Sequence, residues 1–249
     1  MTDQPAPARP QKHPRKKRLV WVIAIAVAVI IAGVFIGSRI YAANVSAQAE
    51  DAPTLSGMPS SAASSGAGDA SAAPASADRD GTWTVGSGSF AGYRLNEVLN
   101  GADVTVTGRT EDVSGSLTVE DDRLTAADLV LKVETITTDS ARRDQYFRTS
   151  AIDTSRFPEA RFTLTEPVDV SATLEGETRT IPITGDLTLN GQTVSVEANV
   201  QGAFSDGAAK LVGQIPMTWA EFGVEAPNLG FVAVEDSGFI EFSLEVTQG

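Results

Sequence analysis

The chain has 249 residues, a formal net charge of −13, no cysteine and a single histidine, His13. Those counts exclude thiol catalysis, thiolate metal sites and disulfides. With its histidine so close to the N-terminus, the long C-terminal part can hold neither a Ser-His-Asp triad nor a histidine metal site. Residues 81–249 carry 26 acids against 11 bases, a net of −15, which opposes nucleic-acid binding beyond a screening length of about 8 Å.

Residues 1–18 form a basic tail in which Arg9, Lys12, Arg15, Lys16, Lys17 and Arg18 face one acid, Asp3. The next stretch, LVWVIAIAVAVIIAGVFIG (19–37), has no charge, no proline and no polar side chain. As a helix it spans roughly 28 Å, about the hydrocarbon core of a bilayer. One segment cannot close a barrel, so a transmembrane helix is expected. Excess Lys and Arg remain on the cytoplasmic side. The expectation is therefore a single-pass cell-membrane protein, anchored through residues 19–37, with a cytoplasmic N-terminus and an extracytoplasmic C-terminal domain. The basic cluster suits the anionic inner leaflet rather than a nucleic acid. Ala47-Gln48-Ala49 has the small-x-small pattern of a signal-peptidase site. It begins well past Gly37, however, and the apolar run exceeds the ~7–15 residues of a signal-peptide core, so the anchor is read as uncleaved.

Residues 38–80 are dominated by Ala, Ser, Gly and Pro, as in SSAASSGAGDASAAPASAD. They read as a disordered linker with a mean reach of roughly 35 Å.

From Gly81 the pattern becomes that of strands. Val104 and Val106 alternate with polar residues, as do Leu117 and Val119; Asp121-Asp122 turns the chain, and Leu129, Leu131 and Val133 share a face. Ile181, Ile183, Leu187 and Leu189 keep one parity up to Asn190-Gly191, a two-residue hairpin signature. Val194, Val196, Ala198 and Val200 return on one face, Asp206-Gly207 marks another turn, and Leu211 to Met217 follows. The last strand sets Ile240, Phe242, Leu244 and Val246 against Glu241, Ser243 and Glu245. Such alternation predicts about eight to ten strands, each with one dry and one wet face, closing into a barrel or folding into a sandwich.

Residues 139–157, DSARRDQYFRTSAIDTSRF, break the period and read as helix and turn. Asp139 is a candidate cap. Asp139 with Arg143 and Asp144 with Arg148 are favourable i,i+4 pairs. Pro158 ends the excursion, and Ala160 to Leu164 resumes a strand. Five of the domain's bases lie between Arg142 and Arg161, which reads either as an anion-holding mouth or as a helix face neutralised by its own acids. Tyr146-Phe147 is a gate or a packing pair. Trp219 and Phe222 are core or rim. The carboxylates show no paired arrangement for glycoside chemistry, and Gly86-Ser87-Gly88 is not followed by a helical pattern, so it is no phosphate loop.

Taken in order, several residues resemble one family. They are Trp83-Thr84-Val85, Thr137-Thr138-Asp139, Arg142-Arg143-Asp144, Phe157-Pro158 with Phe162, Thr184-Gly185-Asp186-Leu187-Thr188-Leu189 with Gly191, and Phe222-Gly223-Val224. Over about 81–247 the chain resembles the YceI-like family, which implies a lipocalin-like antiparallel barrel of exported bacterial proteins that bind polyisoprenoid lipids. Tyr146 stands where many members have histidine, and Asn190-Gly191 where many have His-Gly. The resemblance points to a membrane-anchored member.

The expected architecture is an all-β, lipocalin-like antiparallel barrel of about eight strands (81–249) with a short helical excursion. It follows the tail (1–18), the transmembrane helix (19–37) and the linker (38–80). The expected function is binding of an isoprenoid-like lipid, with no enzyme activity, no cofactor, no catalytic set and no metal. The alternative is a filled barrel serving as an envelope interaction module. Candidate cavity-lining residues are Leu129, Leu131, Val133, Tyr146, Phe147, Leu187, Leu189, Val194, Val196, Trp219, Phe222, Ile240, Phe242 and Leu244. Candidate head-group residues are Arg142, Arg143 and Arg148. If the anchor is uncleaved, N-terminal sequencing of the membrane-extracted protein returns no species that begins at Glu50; recovery of that species would make the apolar run a signal peptide.

Overall fold

The computed structural model describes residues 32–34, 36–55, 79–174, 179–205, 207–228 and 230–249. Most of the apolar run 19–37, residues 19–31 and 35, lies outside the described residues. Among those residues no helix is long and apolar enough to cross a membrane. The described chain starts with helix, α1 (36–48). Eleven strands follow: β1 (Gly81–Val85), β2 (Phe90–Leu99), β3 (Ala102–Thr110), β4 (Val113–Glu120), β5 (Arg123–Lys132), β6 (Glu159–Leu164), β7 (Val168–Asp169), β8 (Thr180–Leu189), β9 (Gln192–Ser205), β10 (Ala208–Thr218) and β11 (Val232–Gln248). Two short helices interrupt them, α2 (Ala141–Tyr146) before β6 and α3 (Ser171–Leu174) after β7.

Eight strands close a ring in the order β1-β4-β5-β6-β8-β9-β10-β11, with β11 returning to β1. Every pairing is antiparallel. β2 and β3 continue β1 and β4 beyond a break, and β2 lies on the same long strand β11. The Asn190-Gly191 hairpin forms as its sequence requires. Both residues have positive φ (51° and 75°), and Leu189 pairs with Gln192, the geometry of a two-residue turn matched to strand twist. Asn100-Gly101 makes the same kind of turn between β2 and β3.

The pairings give the barrel two ends. One, here the lower end, carries the β4–β5 and β9–β10 turns together with β7 and α3. The other, the upper end, carries the Asn100-Gly101 and Asn190-Gly191 turns, the excursion between β5 and β6, and the turn at Trp219–Phe222. The excursion is α2 followed by one wider helical turn, Phe147–Ala151. Asp139 pairs with Arg143. The expected Asp144–Arg148 pair does not form. Asp144 is buried and accepts from the Thr138 backbone N–H (2.9 Å) and hydroxyl (2.7 Å), while Arg148 donates to the carbonyl of Ile136 at 3.2 Å. A carboxylate inside the fold takes donors that are already fixed there, whereas a helix-surface pair has to order two side chains. Asp139 does not cap α2; Ser140 precedes the helix, with no side-chain cap.

Two expectations fail on the outer wall. First, part of the 38–80 stretch packs as structure. Ala42 and Val45 are 3% and 5% exposed and join the cluster that holds Leu99, Ala102, Val104 and Val106. The Ser46 hydroxyl accepts from the Thr105 backbone N–H at 3.3 Å. A stripe at 42, 45, 46 and 49 is one helix face; in an Ala-rich stretch its small side chains give little apolar signal. Here α1 covers the edge of β3 that no strand pairs, the usual remedy for an exposed edge. Second, Glu241 is not on a wet face. It is 0% exposed, held by Arg94 (2.9 Å) and Arg109 (2.6 Å). Its partner across the sheet is Gly92. A side chain at Gly92 would strike Gly108 O at 1.9 Å; the gap lets Arg109 reach from β3 across β2 to β11. Glu50 and the carbonyl of Asp51 then cap the two arginines from outside. Removing one partner from a buried ion cluster strands the others, so Glu241→Ala is expected to lower the unfolding free energy by roughly 3–5 kcal/mol. Urea titration monitored by tryptophan fluorescence measures this.

Candidate functional site

The inward faces of the strands enclose an apolar cavity of ≈ 100 Å³ in the middle of the barrel, with no polar surface on its lining. Its wall includes Ala91 of β2, Leu117 of β4, Ala127 and Leu129 of β5, Phe162 of β6, Ile183 and Leu187 of β8, Ala198 of β9, Ile215 of β10, and Ile240, Phe242 and Leu244 of β11. The hollow has a cause in the wall. Phe162 lies against Gly185, where a Cβ would meet its ring at 2.3 Å, and Phe242 against Gly213, where the distance would be 2.5 Å. Each ring occupies the space of a missing side chain on the neighbouring strand, so the large groups lie along the wall and leave the axis open. This also explains why inward Ile240 and Phe242 are only half-buried while outward Glu241 and Ser243 are buried: the former face the cavity, the latter are covered.

Of the residues expected to line a cavity, Leu129, Leu131, Leu187, Ile240, Phe242 and Leu244 do so. The remainder lie elsewhere. Val133, Leu189, Trp219 and Phe222 are buried in the cluster that fills the upper end, with Val194, Val196 and Phe147 packed against it. The Trp219 indole N–H is spent on the Glu235 carbonyl at 2.8 Å. Tyr146 is exposed on α2, because the side chain that turns inward from this excursion is its neighbour Phe147, stacked on Tyr93 at 5.2 Å. The reading missed Ala127, Ala160 and Ala198, which line the cavity because they are small, and it missed Tyr93. Parity along β2 could have found Tyr93, since Tyr93, Leu95, Glu97 and Leu99 alternate with outward residues.

The head-group candidates separate. Arg143 pairs with Asp139 and with buried Glu97, the latter at 3.3 Å. Arg148 is held by the Ile136 carbonyl. Arg142 is exposed. Arg143 thus joins Glu97 of β2 to Asp139 beside the excursion at the upper end. Burial raises the Tyr93 phenol above its ordinary value; Arg143 opposes that rise, and Asp144, Glu97 and Asp139 add to it. The arrangement can hold an apolar chain below and a polar group above.

Residues 84–246 match the profile of the YceI-like domain. A UPF0312 protein of Photorhabdus laumondii is 28% identical over 157 residues, covering 62% of this chain and 72% of its own. A UPF0312 protein of Shewanella baltica is 33% identical over 129 residues, 48% of this chain; the chain spans 64% of that relative's length. Among solved structures, a polyisoprenoid binding domain from Saccharophagus degradans, implicated in plant cell wall breakdown, matches with a TM-score of 0.55 at 18% identity, over 67% of this chain and 98% of that one. BcnA of Burkholderia cenocepacia matches with a TM-score of 0.53 at 18% identity, over 64% and 96%. At that identity the likeness is one of fold.

Tyr93 gives a pH test. Its folded-state pKa is raised, so the unfolded chain releases the proton first. The stability this group contributes is complete below about pH 10 and is lost as pH rises further, at about 1.4 kcal/mol per pH unit. Urea midpoints from pH 8 to 11 are expected to fall more steeply for the wild type than for Tyr93→Phe.

Proposed function

Since the chain belongs to the YceI-like domain family, we propose that it binds an isoprenoid-like lipid in the barrel cavity and is tethered to the cell membrane through residues 19–37, with its N-terminus cytoplasmic and its barrel extracytoplasmic. The observation that carries the reading is the cavity: its lining offers a ligand only apolar contact, so what it recognises is hydrocarbon. Binding is driven by removal of apolar surface from water, at about 25 cal/mol per Å². The role is to shelter the chain, with no chemistry performed on it. The relative from Saccharophagus degradans, described as polyisoprenoid binding, supports the same ligand class. In this reading a polar head group would be met by Glu97, Arg143 and Tyr93 at the upper end.

The cavity of ≈ 100 Å³ is smaller than the roughly 300–1,000 Å³ of ordinary small-molecule sites. A chain longer than the void has to displace side chains that pack an end, Trp219 and Phe222 above or Trp83 and Leu174 below. That small volume is also what favours the second reading, a barrel that takes no ligand and meets an envelope partner through its acidic exterior.

Solvent extraction of the purified full chain and mass spectrometry are expected to yield a polyisoprenoid, and the stripped protein to take up added polyprenol. Ala198→Leu places bulk in the void and should weaken uptake by about tenfold or more with an unchanged circular dichroism spectrum. An empty extract and no uptake would leave the second reading.

A further inference from the structure

α1 has a direction relative to the barrel. Ser46 meets Thr105 of β3 at 3.3 Å, and Glu50 donates its N–H to the Thr107 hydroxyl at 3.1 Å. The two contacts advance together, so moving back along α1 from Ser46 moves back along β3 towards the Asn100-Gly101 turn. From Ser46 to Ile36 the helix rises about 15 Å; from Thr105 to Gly101 the strand covers about 13 Å. Ile36 of α1 is therefore level with the tip of the β2–β3 hairpin.

Exposure along α1 follows the helix face. Ala42 and Val45 are buried against the barrel, whereas Ile36, Ile40 and Tyr41 are each 58% exposed. Around the hairpin tip the barrel shows apolar side chains of its own. Val98 is the second-last residue of β2, and Phe231, 58% exposed, gives its carbonyl to the Asn100 N–H at 2.8 Å. Tyr146 is exposed on α2, which Arg143 ties to Glu97 of β2. Apolar residues thus collect at the end of the barrel where the helix leads into the nineteen-residue apolar run.

We infer that the upper end of the barrel rests on the surface of a lipid bilayer, with Phe231, Val98 and Tyr146 inserted at the interface beside the start of α1. Aromatic side chains at such a boundary bury the ring and keep polar atoms wet. The occupant is a bilayer because the chain that enters this face ends its apolar run at Gly37, at the level of the tip. The inference rests on the proposed reading of residues 19–37 as a membrane span. It does not depend on a lipid inside the barrel. Its consequence is that the upper end, with Glu97 and Arg143, faces the membrane, the source of any lipid that the cavity takes.

The chain has no cysteine, so single substitutions give unique labelling sites. Val98→Cys, Tyr146→Cys and Phe231→Cys are placed at exposed or half-buried positions, Ile30→Cys reports on the apolar run, and Glu120→Cys lies at the lower end. Each full-length variant is spin-labelled in vesicles of phosphatidylethanolamine and phosphatidylglycerol. Collision with oxygen is compared with collision with a water-soluble nickel chelate. The expected result is lipid exposure at 30, interfacial exposure at 98, 146 and 231, and water at 120. A deep label at 30 with water at 98 and 231 would overturn the docked orientation and leave the span standing. Water at 30 would remove the span reading and this inference with it. Lipid contact at 120 would overturn the orientation.

Discussion

Glu241 is a carboxylate on the outside of a barrel that no water reaches. Its burial is tolerable only because Arg94 and Arg109 arrive from two further strands, and Arg109 can arrive only because Gly92 leaves the intervening strand bare. The arginines are themselves covered by Glu50 and Asp51. A buried charge with a missing partner costs more than the intact cluster contributes. β2, β3, β11 and the segment that follows α1 are therefore held to one another, and the pairing is all or none. The backbone ladder already ties β2 to β11; the hub adds a side-chain tie to β3 and to the chain that follows α1.

The same wall explains the hollow. Barrels of eight strands are just wide enough to be filled by their own side chains or to admit one slender ligand. This chain leaves a void by pairing large rings with absent side chains, Phe162 with Gly185 and Phe242 with Gly213, and by setting alanines at 127, 160 and 198 on the inner face. The ends are treated differently. The upper end is packed with Trp219, Phe222, Val104 and Val106, and the lower end with Trp83, Leu117 and Leu174, so the void is confined to the middle. At the upper end Arg143 links buried Glu97 to Asp139.

Much of this was legible in the residues. Period-two alternation in Ile181–Leu189, Val194–Val200 and Ile240–Val246 fixes which side chains point inward, because a strand sends successive side chains to opposite faces. Asn190-Gly191 fixes a turn, because its φ values demand those residues. The counts of cysteine and histidine limit the chemistry, because a missing nucleophile or ligand cannot be supplied by folding. All of these are local facts, and local facts are what a sequence states directly.

What covers a face is not local. Glu241 and Ser243 alternate as wet residues should, yet they are buried by Arg94, Arg109 and covering chain that comes from elsewhere in the sequence. Ala42 and Val45 read as linker, since two small side chains bury little by themselves; only the unpaired edge of β3 gives them a partner. Asp144 accepts from Thr138 rather than pairing with its helical neighbour, and Tyr146 and Phe147, read as one pair, divide, with Tyr146 exposed and Phe147 stacked on Tyr93. The amino-acid order determined the strands, their turns and the excluded chemistry. The tertiary structure decided the void, the buried carboxylate and the docked helix, because each depends on contacts between segments whose distance along the chain carries no information about their distance in space.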